Sequence, residues 1–354
     1  MNLIELGWNP FFNQYFQQFR RQDLSPARIA KEHKLLYVVY CEHGDLRAEV
    51  SGKFRHRTLL RSSFPKMGDW VAVTVRPEEG KATIHVLLPR KNSFSRKVAG
   101  ENTEEQIVAA NIDTVFIVSG LDGDFNLRRI ERYLALTWNS GTRPVIVLNK
   151  TDICSEVEEC IEKVESVAFG VPVHPISAKK SNGLHMLREY LGKGKTVVLL
   201  GSSGVGKSTI INSLLGVERQ SVSSVRETDS HGRHTTSDRE LIILPNGGMI
   251  IDNPGMREIQ MWVDGEDMGK NFKDIEELTL SCRFPDCSHQ SKPDCAVQDA
   301  LSKGTLESKR FQSYLKLKRE LCYLATRKDQ KVRLAQKEKW KKLSQWSKKM
   351  RKYQ

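Results

Sequence analysis

The sequence predicts an α/β protein in which a parallel sheet carries a phosphate-binding loop, with a small β-barrel before it and a metal-binding segment after it. Three observations predict this. A hydrophobic strand at 196–200 leads into Gly201-Ser202-Ser203-Gly204-Val205-Gly206-Lys207-Ser208-Thr209, which fits the phosphate-loop pattern G-x-x-x-x-G-K-[ST]. Residues 31–90 contain short runs of alternating apolar and polar side chains, as strands do. Three cysteines and a histidine cluster within 282–295.

The phosphate loop has the residue types that binding a nucleoside triphosphate requires. Gly201, Gly204 and Gly206 let the backbone wrap so that N–H groups point at phosphate oxygens, helped by the N-terminus of the helix that follows. Lys207 is predicted to neutralise the β- and γ-phosphates, and the Ser208 hydroxyl is predicted to bind Mg²⁺. The whole stretch from Gly201 to Thr209 is therefore the predicted nucleotide-binding loop.

A second motif, Asn149-Lys150-Thr151-Asp152, follows the hydrophobic strand 145–148 and predicts which base is bound. The Asp152 carboxylate can accept hydrogen bonds from both N1–H and the N2 amine of guanine. Adenine has neither donor there and would leave the carboxylate unpaired, so guanine is predicted. Asn149 is predicted to hold the loop and reach the N7 side of the base, and Lys150 to lie along the base.

The motif Ser177-Ala178-Lys179 follows a further strand and fits the second base-reading element of GTPases, with the Ala178 N–H directed at guanine O6. Both base-reading motifs precede the phosphate loop, whereas in an ordinary GTPase they follow it. The chain is therefore predicted to contain a circularly permuted GTPase domain, with the nucleotide at the carboxyl ends of the strands.

The segment between the phosphate loop and the last predicted strand contains His231-Gly232-Arg233-His234-Thr235-Thr236. A threonine in this position should close over Mg²⁺ and the γ-phosphate when triphosphate is bound. Thr236 is preferred over Thr235 for this role.

The motif Asp252-Asn253-Pro254-Gly255 follows the last predicted strand and fits the γ-phosphate sensor D-x-x-G. Asp252 is predicted to hold Mg²⁺ through water, and the Gly255 N–H to bind the γ-phosphate. Met256 stands where many GTPases have a glutamine that orients water, and a thioether cannot do this. We therefore expect slow intrinsic hydrolysis that a macromolecular partner stimulates, with His234 or a group of the partner orienting the water.

The cluster Cys282-(x4)-Cys287-x-His289-(x5)-Cys295 offers three thiolates and one imidazole. Four such ligands with no open position are typical of a structural, tetrahedral Zn²⁺ site. The spacing is not the usual C-x2-C, so buried free cysteines beside a surface histidine remain the alternative from the residues alone. The odd number of cysteines, 7, also favours a reducing cytoplasm over a disulfide framework.

Positive charge is concentrated at the C-terminal end of a chain with a net charge of +13. Residues 327–354 hold 12 lysines and arginines against two acidic residues, so they should bind polyphosphate by counterion release, and RNA is the predicted partner. A membrane surface is the rival, because basic helices with tryptophan bind both. We find no apolar run of about 18 residues and no signal-like N-terminus, so a cytoplasmic protein is expected.

The patterns divide the chain into five predicted parts. The closely spaced strands suggest a five-stranded barrel of the OB type, and the aromatic residues before it an amphipathic helix. The parts are an N-terminal extension at 1–30, an OB-fold-like RNA-binding barrel at 31–92, a circularly permuted GTPase domain at 93–262, a zinc-binding domain at 263–326 and a basic tail at 327–354.

In this order, the motifs resemble those of the ribosome-small-subunit-dependent GTPase family, RsgA (also called YjeQ). The resemblance rests on the two base-reading motifs, the phosphate loop, the G-R-H-T-T string, the D-x-x-G motif and the cysteine–histidine cluster, and covers roughly residues 31–326. It implies an OB-fold, a circularly permuted GTPase domain and a helical zinc domain with one structural ion. It also implies a catalytic role for His234.

The resemblance further implies that the chain binds the 30S subunit and its 16S rRNA late in maturation. GTP, bound with Mg²⁺, would be hydrolysed to GDP and phosphate when the subunit stimulates turnover, and hydrolysis would release the protein, which is expected to be a monomer. Because the predicted helices that lead to the zinc domain follow the sensor Gly255 almost directly, ordering of the sensor by γ-phosphate is expected to reposition an RNA-binding module.

Other interpretations stay open. A permuted GTPase that acts on the large subunit or on another RNA would share the nucleotide motifs, although the barrel and the cysteine–histidine cluster argue against it. An RNA-binding scaffold that holds GTP without useful hydrolysis is favoured by Met256. A membrane-associated GTPase is favoured only by the basic tail.

Overall fold

The computed structural model of the chain describes two compact units, one before residue 253 and one after residue 271. None of the helices in the described parts combines the length and hydrophobicity that a membrane span requires. The predicted roles of His234, Thr235, Thr236 and Gly255, and of the basic tail, fall outside the described residues. These are 1–33, 36–58, 61–97, 105–217, 239–252, 272–283, 287, 289, 295–306, 308, 310–312 and 314–315.

The N-terminal segment folds into a short helix whose aromatic side chains pack on the barrel. Helix α1 (Pro10–Phe16) begins after Asn9, whose side chain accepts a hydrogen bond from the backbone of the first turn. Trp8 and Phe12 contact Trp70 of the barrel, with ring centroids 4.8 and 5.7 Å apart. The aromatic stripe of the sequence is therefore a packing surface.

Five strands form a small closed barrel with an apolar interior built from alternate residues of each strand. The neighbour order is β1-β2-β3-β5-β4, and β4 pairs back with β1, which closes the barrel. A short helix, α2 (Gly52–Arg57), lies between the third and fourth strands in the chain. The strands are β1 (Ser25–His33), β2 (Leu36–Cys41), β3 (Gly44–Val50), β4 (Trp70–Arg76) and β5 (Lys81–Leu87).

The first unit continues with a two-stranded hairpin and then alternates strands with helices. The hairpin consists of β6 (Ser93–Lys97) and β7 (Glu105–Ala110), at the start of the predicted GTPase domain. The elements that follow are β8 (Thr114–Gly120), α3 (Leu127–Asn139), β9 (Arg143–Asn149), α4 (Val157–Glu165), β10 (Val173–Pro175), α5 (Leu184–Arg188), β11 (Thr196–Leu200), α6 (Lys207–Leu215), β12 (Arg239–Ile243) and β13 (Met249–Asp252).

The strands of this second part form a sheet in the order β10-β9-β8-β11-β13-β12, parallel except for β12. The carboxyl ends of the parallel strands therefore meet at one edge, where ligands of such sheets bind. Strand β12 also pairs with β1 of the barrel, with Lys31 opposite Glu240 and Glu32 opposite Arg239. Barrel and GTPase-type sheet thus share one continuous 11-stranded sheet.

Arg28 of β1 lies buried where the N-terminal segment, the barrel and the parallel sheet meet. Its guanidinium donates hydrogen bonds to the backbone oxygens of Leu6 (2.6 Å), Gly68 (3.2 Å) and Asn111 (3.2 Å). It also donates to Oγ1 of Thr196 (2.8 Å), the first residue of the strand that leads to the phosphate loop. One side chain thus satisfies acceptors from four separate segments.

We expect Arg28→Met to lower the free energy of unfolding of the first unit by about 3–5 kcal/mol, because several buried acceptors lose their donor. Burial lowers the pKa of Arg28 to about 10, against the raising effect of Asp113 and Asp69, so the side chain is charged at neutral pH. Urea unfolding followed by circular dichroism measures the change.

The control is Lys31→Met, which breaks a partly exposed ion pair and should change the free energy of unfolding by less than about 1 kcal/mol. Equal urea midpoints for Arg28→Met and the wild type would contradict this role.

The second unit contains α7 (Lys273–Leu280) and α8 (Ala296–Ser302). Phe272 and Tyr314 are buried and contact each other edge to face, with ring centroids 5.5 Å apart. Phe311 stacks on Tyr314 at 6.3 Å. This small apolar centre packs beside the cysteine–histidine cluster, since Phe311 also contacts the ring of His289.

Candidate nucleotide site and metal centre

The phosphate loop joins β11 to α6 and requires glycine at two positions. At Gly201, where φ is +157°, a Cβ atom would lie 2.4 Å from the carbonyl oxygen of Val118. At Gly206, where φ is +97°, a Cβ atom would lie 2.2 Å from Nδ2 of Asn149. No other residue type fits without displacing the backbone or the neighbouring motif.

Lys207, the first residue of α6, folds back across the phosphate loop. Its ammonium group donates hydrogen bonds to the carbonyl oxygens of Gly201 (2.8 Å) and Ser202. The remaining predicted residues of the loop differ in exposure: Val205 is buried, Ser208 and Thr209 are partly buried in the first turn of α6, and Ser203 and Gly204 are exposed. The exposed part of the loop is thus Ser203 and Gly204, and the Lys207 ammonium group bridges the carbonyl oxygens at its start.

Asn149 joins the two base-reading motifs to the phosphate loop. It ends β9 and is only 3 % exposed. Its Nδ2 donates to the carbonyl oxygen of Val205 (2.8 Å), and its Oδ1 accepts from the N–H of Ala178 (3.0 Å). The sequence predicts that this N–H meets guanine O6, so the contact with the base requires sharing the N–H with Asn149 or releasing it.

The Asp152 carboxylate is oriented by Ser177, whose hydroxyl donates to Oδ1 of Asp152 (2.6 Å) and accepts from the N–H of Lys180 (3.2 Å). This hydrogen bond, with smaller contributions from Lys180 and Lys179, holds the pKa of Asp152 below its usual value although desolvation opposes it. The group is therefore an ionised acceptor at neutral pH, as reading the two donors of guanine requires. The sequence identified Ser177 only as part of a motif.

Lys150 adopts a left-handed backbone conformation, with φ of +71°, and its ammonium group pairs with the carboxylate of Asp122. Burial raises the pKa of Asp122, but the hydrogen bond from Lys150 and nearby backbone N–H groups outweigh it and hold the pKa below its usual value. The N–H of Thr151 donates to the carbonyl oxygen of Ile176 (3.1 Å), which ties the first base-reading motif to the strand end before the second. Sequence reasoning did not single out Asp122.

Asp252 is the last residue of β13, which runs parallel to β11, with Ile251 opposite Val198. The carboxylate therefore lies at the same sheet edge as the phosphate loop, where the sequence predicts the γ-phosphate sensor. The roles of His234, Thr236 and Gly255 stay predictions, because these residues lie outside the described parts of the chain.

The second unit brings Cys282, Cys287, His289 and Cys295 together, with one ligand atom from each lying within 4.8 Å of every other. Sγ of Cys282 lies 3.9 Å from Sγ of Cys295, and Nδ1 of His289 lies 3.5 and 3.6 Å from these two sulfurs. Donors about 2.3 Å (sulfur) and about 2.1 Å (nitrogen) from a tetrahedral zinc ion are about 3.6–3.8 Å apart. The donor set and spacings are thus compatible with one zinc ion, and His289 is buried rather than on the surface.

Comparison with known proteins identifies the family to which these motifs belong. Residues 87–262 match the model of the RsgA GTPase family. The small ribosomal subunit biogenesis GTPase RsgA of Opitutus terrae is 45 % identical over 354 residues, which cover 98 % of this chain and 96 % of that protein. The chain belongs to the RsgA GTPase family. RsgA 1 of Oceanobacillus iheyensis is also 45 % identical, with 92 % of this chain and 93 % of that protein covered.

Solved structures of similar proteins support the RsgA fold. The crystal structure of YjeQ from Thermotoga maritima has a TM-score of 0.63 and 26 % identity, with 84 % of this chain and 99 % of that chain covered. The structure of YloQ, a circularly permuted GTPase, has a TM-score of 0.60 and 22 % identity, with 85 % and 96 % covered. The predicted fold class is therefore confirmed: the chain is a circularly permuted GTPase with a five-stranded barrel before it and a Cys₃His cluster after it.

Proposed function

We propose that this protein hydrolyses GTP in the biogenesis of the small (30S) ribosomal subunit, acting late in its maturation. The RsgA relatives that carry this role in their names support the biological assignment. The observation that carries the chemistry is Asn149, which bonds the phosphate loop through Val205 and the second base-reading motif through Ala178. The motif predicted to bind the phosphates and the motif predicted to read guanine thereby meet at a single buried side chain.

In the proposed site, the N–H groups of the loop Gly201–Gly206 and the ammonium of Lys207 bind the phosphates. Asp152 reads the two donors of guanine, and its ionised state and orientation by Ser177 support that role. Ser208 and Thr236 would hold Mg²⁺ through their hydroxyls. Their hydroxyls and the Asp252 carboxylate are the kind of oxygen donor that this ion prefers. When bound, Mg²⁺ neutralises charge that develops on the phosphate oxygens.

For hydrolysis, we assign the positioning of the γ-phosphate to the Gly255 N–H and the orientation of the attacking water to His234. Since the thioether of Met256 cannot orient water, intrinsic turnover is slow and the small subunit supplies the stimulus. The triphosphate state favours the subunit-bound form, and hydrolysis releases the protein. Equal affinity of the 30S subunit for the GDP form and the GTP-analogue form would remove the basis of this switch.

The Cys282, Cys287, His289 and Cys295 set holds one structural zinc ion, since its four donors leave no open position. The 16S rRNA is the proposed contact on the subunit. Two basic segments support this: the sequence of the tail at 327–354, and helix α2, whose Lys53 and Arg55 side chains are exposed. The protein acts as a cytoplasmic monomer.

The nucleotide assignment is tested with Asp152→Asn. An amide cannot accept from both guanine donors, so we expect the preference for GTP over ATP to fall at least tenfold. Competition of each nucleotide with fluorescent N-methylanthraniloyl-GDP (mant-GDP) on the full chain measures the preference. The control is Asp45→Asn, which removes an exposed carboxylate of the barrel and should leave the preference unchanged. An unaltered preference in Asp152→Asn would show that another group reads the base.

A further inference from the structure

The loop that follows β8, residues 121–124, lies between the base-reading and phosphate-binding parts of the site but belongs to neither motif. Strand β8 pairs with β9 up to Gly120 opposite Asn149. The N–H of Leu121 then donates to the carbonyl oxygen of Asn149 (2.8 Å). The loop therefore starts beside the residue at which the two parts of the site are joined.

The first carboxylate of this loop, Asp122, holds the base-reading lysine. Its Oδ2 pairs with the ammonium group of Lys150, and its Oδ1 accepts from the N–H of Asp124 (3.2 Å). Both charged side chains are about three-quarters buried, so the pair is shielded from solvent. The backbone of Lys150 is held in a left-handed conformation, and its side chain is long and flexible. Because the ion pair also holds the charged end of that side chain, it fixes the methylene stem that is predicted to lie along the base.

The second carboxylate, Asp124, holds the phosphate loop. Its Oδ2 accepts from the hydroxyl of Ser202, and both of its oxygens accept from Nη1 of Arg129 (2.8 and 2.9 Å). Arg129 lies in the first turn of α3, where Asn126 caps its backbone N–H (3.1 Å). Since the carbonyl oxygen of Ser202 accepts from Lys207, a chain of polar contacts runs from α3 to the phosphate-binding ammonium.

We propose that Asp122 and Asp124 are positioning residues of the guanine-nucleotide site, with Asp122 fixing Lys150 beside the base and Asp124 fixing Ser202 and the phosphate loop. Neither carboxylate touches the nucleotide, and each acts through the side chain that it holds. This inference rests on the proposed function, because it assigns the loop a part in the same site.

A double-mutant cycle on the full chain tests the Asp124–Ser202 contact, with mant-GDP affinity in Mg²⁺ buffer as the readout. Asp124→Asn and Ser202→Ala should each weaken binding about tenfold, the scale of a hydrogen bond to a charged group. The double variant should bind no more than about twofold more weakly than the more weakly binding single variant, because either substitution alone already removes the contact between Asp124 and Ser202. Asp122→Asn and Lys150→Met should behave in the same way.

The control is Glu159→Gln, which removes a carboxylate from an exposed ion pair with Lys163 on α4 and should bind mant-GDP within twofold of the wild type. Thermal unfolding of the nucleotide-free chain separates positioning from general stability. We expect Asp124→Asn to shift the midpoint by less than about 3 °C while affinity falls tenfold.

Additive losses in the cycle, single variants within twofold of the wild type, or a large fall in the nucleotide-free unfolding midpoint would each overturn the positioning role. These outcomes leave the proposed function intact as long as the wild-type chain binds mant-GDP. Failure of the wild type to bind the probe would instead overturn the proposed function and this inference together.

Discussion

Gly206→Ala is expected to weaken mant-GDP binding at least a hundredfold. The added Cβ would lie 2.2 Å from Nδ2 of Asn149, far inside van der Waals contact. Asn149 cannot move aside without breaking its bonds to Val205 and Ala178. One methyl group therefore disrupts the phosphate loop and both base-reading motifs at once, and fluorescence titration with mant-GDP measures the loss.

The matched control is Gly44→Ala in the barrel. Gly44 has φ of +99° against +97° for Gly206, but its Cβ would meet nothing within 4 Å. Both variants thus carry the same backbone strain, on the order of 1 kcal/mol, and only one carries the clash. Gly44→Ala should bind mant-GDP like the wild type. If the two variants bound the probe equally well, the contacts of Asn149 with Val205 and Ala178 would not be required for nucleotide binding.

Cys295→Ser is expected to abolish zinc binding, for which we predict one ion per wild-type chain. Cys295 lies buried at contact distance from both Cys282 and His289, so its loss opens the ligand set. Structural zinc contributes about 10–16 kcal/mol in small zinc-dependent folds, so we expect its loss to unfold the segment that holds the ligands. Metal analysis by mass spectrometry gives the zinc content, and limited proteolysis reports whether the segment from 272 to 315 has unfolded.

The control for this prediction is Cys160→Ser, which removes a partly buried thiol outside the cluster and should retain one zinc ion per chain. Full zinc content in Cys295→Ser, or a wild-type chain that is purified without zinc and resists proteolysis, would contradict a structural zinc site.

Elements with strong local signals could be predicted from the sequence with accurate bounds. Helix α6 begins at Lys207, directly after the phosphate loop, as the pattern predicts, and β11 covers Thr196–Leu200, the predicted strand. The sequence did not predict strand β1, because Pro26 and the buried Arg28 interrupt the alternation of apolar and polar residues that is typical of a strand. The barrel therefore begins at Ser25, inside the segment predicted as an extension.

The nucleotide motifs could likewise be predicted, because each lies in one continuous stretch after a hydrophobic strand. The contacts that join them could not. Asp122 is 28 residues from Lys150 and Asp124 is 78 residues from Ser202, so only the folded sheet brings these pairs together. Acidic residues in a Gly-containing loop are otherwise typical of ordinary surface turns.

Steady-state GTP hydrolysis by the full chain tests the central claim most directly, measured alone and with purified 30S subunits, 50S subunits or liposomes. We predict slow turnover by the chain alone and stimulation of about tenfold or more by 30S subunits only. Fast turnover near 10 s⁻¹, a typical enzyme value, would contradict the need for a partner. Stimulation by 50S subunits or liposomes, or none by 30S subunits, would contradict the assignment to the small subunit.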